Sequence, residues 1–111
     1  MKREWTVHFH SDFESDVRAQ VRWLVAHRQR PWLEKLEQGL DEAVELLLEF
    51  PGAGEVVGQE PNVRLRKLVF RKVPYLAWYA VDELRGEVWF LRLFHARQKR
   101  PSPNLERWLK S

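Results

Sequence analysis

The sequence predicts an α+β domain in which an N-terminal strand and a helical hairpin pack on a small antiparallel sheet, in the order β-α-α-β-β-β with a short C-terminal tail. Three observations predict it. Apolar residues recur at helical spacing from Phe13 to Leu48. The segment "FPGAG" at 50–54 then breaks the pattern. From Val63 to Phe94 the apolar positions fall into strand-length runs rich in β-branched and aromatic residues. A chain of 111 residues suits one domain over 1–111.

Glu4 to Phe9 alternates Trp5, Val7 and Phe9 with polar neighbours, as a half-buried strand does. Ser11-Asp12-Phe13-Glu14 has the form of a capping box, with Ser11 as N-cap and Glu14 at the third helical position. Phe13, Val17, Val21, Leu24 and Val25 carry the first helix to about Arg28. Pro31 fits the first turn of the second, where its missing N–H would be unsatisfied in any case. Leu33, Leu36, Leu40, Ala43, Val44, Leu47 and Leu48 form that helix's stripe, and the short break before it implies an antiparallel pair. Glu55 to Asn62, with Gly58 and Pro61, is expected as a loop.

Three strands follow, at Val63–Phe70, Tyr75–Val81 and Val88–Phe94. "DELRGE" at 82–87 supplies a hairpin turn. The run from Tyr75 to Val81 is apolar on both parities and therefore expected at the centre of the sheet, covered on both faces. After Pro101 and Pro103, Asn104 to Leu109 has the makings of one or two helical turns.

Composition narrows the function classes. No cysteine is present, which excludes disulfides and thiolate metal sites and suits a reducing cytoplasm. The charged start does not resemble a signal peptide, and the least charged stretch, Val73 to Val81, is too short to span a membrane. The net charge of +3 conceals a split: 7 Lys/Arg against 12 Asp/Glu over 1–62, but 10 against 3 over 63–100. Such asymmetry points to a polyanionic or acidic partner for the second half.

The cations of that half form the candidate site. Arg64, Arg66, Lys67, Arg71 and Lys72 lie on or just after the first strand of the meander. Arg92, His95, Arg97, Lys99 and Arg100 lie in the last strand and its exit. The first and last strands of a meander run parallel, so Arg71 and Arg97 should approach the same end. Arg66 begins further back. Arg66, Arg71, Arg97, Lys99 and Arg100 are expected at the surface, where unpaired cations belong. Arginines gathered this way can grip phosphates in bidentate fashion. His95 is the one side chain among them able to move a proton near neutral pH.

Other constellations are weaker. His8 and His10 share a strand face but lack a third ligand at suitable spacing, so no metal and no cofactor is expected. The carboxylates of the second helix fall between its apolar positions, as a wet face does. Tyr75, Tyr79, Trp78 and Trp89 could stack on bases, but as strand aromatics of a small sheet they are expected in the core.

The segment "RKLVFRKVPYLAWYAVDELRGEVWFLRLFHARQKRP", Arg66 to Pro101, resembles the C-terminal half of RelE/ParE-superfamily toxins of type II toxin–antitoxin systems. An Arg opens a strand, a basic pair precedes a hydrophobic-Pro-Tyr step, a Tyr follows four residues on, and the last strand closes in His-small-Arg. The helical hairpin ending in Phe50-Pro51 fits as well. The ending is most similar to the ParE branch, whose members inhibit DNA gyrase and stabilise plasmids. The RelE branch cleaves mRNA on the ribosome with Arg, Lys and a Tyr or His near the C-terminus; no Tyr follows His95 here. The resemblance implies target contacts by Arg66, Arg71, Lys72, His95, Arg97, Lys99 and Arg100, with His95 catalytic only in a RelE-like protein. It also implies a cognate antitoxin, a toxin–antitoxin hetero-oligomer, and either gyrase or ribosome-bound mRNA as target in the cytoplasm. A non-toxic nucleic-acid- or protein-binding module is the bland alternative.

Overall fold

The computed structural model describes residues 4–101 and Trp108. The chain runs β1 (Thr6–Phe9), α1 (Ser11–Ala26), α2 (Arg30–Glu49), a 3-10 turn over Pro51–Ala53, β2 (Glu55–Glu60), β3 (Val63–Val69), β4 (Tyr75–Asp82) and β5 (Glu87–His95). One sheet of five strands forms in the order β1-β5-β4-β3-β2. β1 lies parallel to β5, and the remaining neighbours are antiparallel.

The α+β class and the strand-hairpin-meander order hold, with one strand added. Glu55–Glu60 is the edge strand β2, where a loop was expected. Its register shifts between Val56 and Gly58, and Pro61-Asn62 turns the chain into β3 with Asn62 at φ 69°. A bulge glycine and a following proline are tolerated at an edge because the outer side needs no ladder partner.

The start of α1 also differs. His10, not Ser11, is the N-cap, and its Nδ1 accepts the Asp12 N–H at 3.0 Å. The backbone N–H of His10 still bonds Phe90 O at 2.9 Å, so the chain leaves the sheet one residue before the capping box would place the helix start.

β4 divides the core in two, as its double apolar parity requires. Tyr75, Ala77, Tyr79 and Val81 face α1 and α2, where they meet Phe13, Leu24, Leu36, Ala43 and Leu47. Leu76, Trp78 and Ala80 join Leu65, Leu91 and Phe94 on the other face, against which Trp108 packs. The helical turn expected over Asn104 to Leu109 lies outside the described residues except at Trp108.

α1 is tied to β5 beyond the end of β1. There the Leu93 N–H would lack a ladder partner, and Asp16 Oδ2 accepts it at 2.9 Å. The same carboxylate takes a fork from Arg92, at 2.7 and 3.3 Å. Arg92 thus neutralises a partly buried acid and belongs to the scaffold, since a carboxylate removed from water needs such partners.

Candidate functional site

Two chain reversals build one end of the sheet. Phe70 and Val73 of the β3–β4 turn are buried against α2. They approach because Gly39 has no side chain: a Cβ there would stand 3.3 Å from each. With the apolar residues turned inward, Arg71 and Lys72 are left exposed. Lys72 holds φ 66°, a left-handed conformation usually left to Gly or Asn.

The exit from β5 is stitched to this turn. Tyr75 pairs with His95, and the Ala96 N–H donates to Pro74 O at 2.7 Å. His95 Nδ1 accepts the Arg97 N–H at 3.1 Å, and Gln98 Oε1 accepts the His95 N–H at 3.3 Å. The imidazole meets the Tyr75 ring edge-on, with centroids 5.4 Å apart. With Nδ1 occupied, only Nε2 of His95 remains for proton exchange. The reversals gather Arg71, Lys72, His95, Arg97, Lys99 and Arg100 at one end, and all but the half-buried His95 are exposed. None of these five cations forms an ion pair with the described residues.

Arg66 does something else. It is half-buried, and its Nη1 donates to Gly54 O at 2.6 Å and to Gly52 O at 3.2 Å. Beside it the Tyr79 hydroxyl donates to Pro51 O and accepts the Gly54 N–H, both at 2.8 Å. Burial pushes the Tyr79 hydroxyl pKa above its ordinary value, against smaller opposing effects of the Gly54 N–H and the Arg66 charge. Gly54 is required for this packing, because a Cβ would lie 2.5 Å from Lys67 O and 2.8 Å from the Tyr79 ring. Arg66 and Tyr79 together clamp the 51–54 turn between α2 and β2.

The two strand histidines have separate tasks. His8 stacks on Trp89 at 4.5 Å with its Nε2 3.2 Å from Glu87 Oε2, whereas His10 caps α1. Among the described residues, no three His, Asp or Glu side chains converge as metal ligands would. No described helix is long and apolar enough to cross a membrane.

The turn between α1 and α2 is where the sequence places it, but its side chains were given no role. It carries exposed Arg28 and Arg30, flanked by Trp23 and Trp32, which lie outside the helices' buried stripes. That displacement was the available signal: a large indole off the apolar stripe has no core position to fill.

A family model described as the ParE toxin of type II toxin–antitoxin system, parDE, matches residues 7–100. No curated protein matches the sequence. Among solved structures, a chain of the chromosomal ParDE system from P. aeruginosa is similar with a TM-score of 0.66 and 18% identity, covering 85% of this chain and 98% of that one. A chain of the archaeal RelE–RelB complex from Pyrococcus horikoshii OT3 is similar with a TM-score of 0.62 and 12% identity, over 87% of this chain and 100% of that one. At these identities the two likenesses show the shared fold.

Proposed function

The chain belongs to the family of ParE toxins of type II toxin–antitoxin systems, and on that premise we propose that it inhibits DNA gyrase without itself being an enzyme, and that a cognate antitoxin silences it. The observation that carries this reading is the contrast in use of its arginines. Arg66, which the resemblance assigns to the target, has its Nη1 on the Gly52 and Gly54 carbonyls. The cations left available lie at the reversal end, where Arg71, Lys72, Arg97, Lys99 and Arg100 are exposed. Such a set suits docking to a large charged surface, since exposed cations steer association and tolerate varied partners.

The protein is expected to act in the cytoplasm, where its target resides. Its partner would be a disordered antitoxin segment that folds on binding, complementary to the basic end. A saturating cognate peptide should raise the melting temperature by linkage; no shift would argue against that partner.

The test is a paired assay. With purified gyrase and supercoiled DNA, wild type should trap cleaved DNA, and Arg97→Ala/Arg100→Ala should not, while melting as wild type does. Stability should change by no more than about 0.5 kcal/mol, as expected for exposed positions. With programmed ribosomes, wild type should leave message lengths unchanged. Message cleavage that His95→Ala abolishes would replace this reading with the endoribonuclease. Equal gyrase trapping by the double variant would reduce the cluster to a solvated exit.

A further inference from the structure

Three chain reversals, not two, meet around one cleft. The α1–α2 turn, the β3–β4 turn and the β5 exit all border an open cavity of about 640 Å³. Gln20, Trp23, Gln29, Trp32, Tyr75 and His95 are among its walls, and no lining residue is acidic. Trp23 is 54% exposed and Trp32 40%, a large indole surface to leave in water. His27 stacks on Trp23 at 4.1 Å, and Lys35 Nζ sits 4.6 Å from the Trp32 ring centre, so both indoles are braced while still lining the cleft.

Cations neighbour these walls along the chain. Arg28 and Arg30 flank Gln29, Lys72 lies two residues before Pro74, and Arg97 two after His95; all four are exposed. Arg28 and Lys72 both hold a left-handed backbone, at φ 53° and 66°. Both turns thus carry a long cation where glycine would be the easier residue.

We propose that this cleft binds single-stranded DNA, with unpaired bases stacking on Trp23 and Trp32 and the flanking phosphates held by Arg28, Arg30, Lys72 and Arg97. The choice of DNA over RNA rests on the gyrase reading above; the single-strand preference rests on the cleft alone. Flat rings accept any base face, and the two Gln amides offer donors and acceptors to base edges. Gln20 Oε1 is already fixed by the Tyr75 hydroxyl at 3.1 Å, which orients the amide. An amphipathic helix could bury the same apolar walls, but it would bring no flat rings to stack on the two indoles, and its carboxylates would have to reach Arg28, Arg30, Lys72 and Arg97 from one face. A duplex keeps its bases stacked on one another and presents phosphates without a ring to insert.

The full chain is titrated with a labelled oligodeoxythymidine dodecamer, the matching duplex, oligouridine and an acidic amphipathic peptide, with no gyrase present. The oligodeoxythymidine should bind most tightly and quench tryptophan emission. Trp23→Ala and Trp32→Ala should each weaken it by roughly tenfold, with Trp23→Phe recovering part of the loss and all three remaining folded by circular dichroism at the assay temperature. Arg28→Ala/Arg30→Ala should lower the dependence of log affinity on log salt by about one to two. Arg85→Ala, on the β4–β5 turn, should change neither.

Equal affinity for duplex, or Trp variants that bind normally, would overturn the site. Tighter peptide binding that Trp23→Ala and Trp32→Ala abolish would make it a protein groove, and tighter oligouridine binding would overturn the choice of DNA. A wild-type chain that binds no oligodeoxythymidine yet traps gyrase cleavage would sink this inference alone. The reverse pattern would sink the gyrase reading alone.

Discussion

Arg66 and Arg71 lie five positions apart in the chain yet end in opposite surroundings. Arg66 donates to two carbonyls beside a buried tyrosine whose hydroxyl both gives and takes a hydrogen bond. Arg71 is exposed, and no described residue bonds it. One arginine closes a structure; the other is available to something outside it. The difference comes from what the neighbouring segment offers. The 51–54 turn leaves α2 with backbone groups that β2 does not pair, and an unpaired polar group removed from water is costly. The β3–β4 turn buries Phe70 and Val73 and leaves its cations no such debt to settle.

The contrast breaks most sharply at Gly54. Gly54→Ala would drive a methyl into the Lys67 carbonyl and the Tyr79 ring, neither of which can yield. We expect a loss of about 3 kcal/mol or more, at the top of the overpacking range. Urea denaturation reads it directly, and a loss under 1 kcal/mol would mean that the turn is looser than described.

Tyr79→Phe should come next, at about 1–3 kcal/mol, because it orphans the Gly54 N–H and the Pro51 carbonyl. It should also change the alkaline limb of stability. Burial raises the Tyr79 pKa in the folded state above the ordinary 10.0. The unfolded chain therefore ionises first, and the contribution is whole below about pH 10 and lost as pH rises through the folded value. Tyr75 is raised by burial as well, so Tyr79→Phe should make the decline above pH 10 shallower without abolishing it. An unchanged slope would place the titration elsewhere.

Much of the frame was legible in advance, and the misses share a cause. The helical stripes and the doubly apolar Tyr75–Val81 run follow from periodicity, which burial on one or two faces imposes directly. The convergence of the β3 and β5 ends follows from meander geometry. β2 was not legible because an edge strand pairs through its backbone and leaves little side-chain pattern, especially with Gly58 and Pro61 inside the reading frame. The role of Arg66 was hidden for a similar reason: its partners are carbonyls of Gly52 and Gly54, which no side-chain code announces. Trp23 and Trp32 were visible only as departures from a stripe. Side-chain burial writes itself into sequence, while backbone partnership and cleft formation do not.

A matched pair of alanines sharpens the comparison at lower amplitude. Arg66→Ala should cost about 1.5–2 kcal/mol, since charge-assisted bonds to partly buried carbonyls are lost. Arg71→Ala should stay within about 0.5 kcal/mol. A double-mutant cycle of Arg66→Ala with Tyr79→Phe should show coupling, because both hold the same turn. Additive losses would mean that the two clamps act independently.

The smallest effect should carry the opposite sign. Lys72 holds φ 66°, where a Cβ crowds the backbone and glycine does not. Lys72→Gly should therefore stabilise by about 0.5–1 kcal/mol once the relief of that conformation outweighs glycine's greater unfolded freedom. Thermal melting of variant and wild type at equal concentration reads the gain. If Lys72 is kept at this strained position for contact with a partner, the same variant should bind that partner less well while melting higher. A variant that is both more stable and fully active would remove Lys72 from the working end, and a variant that melts lower would show that the left-handed turn costs the lysine nothing.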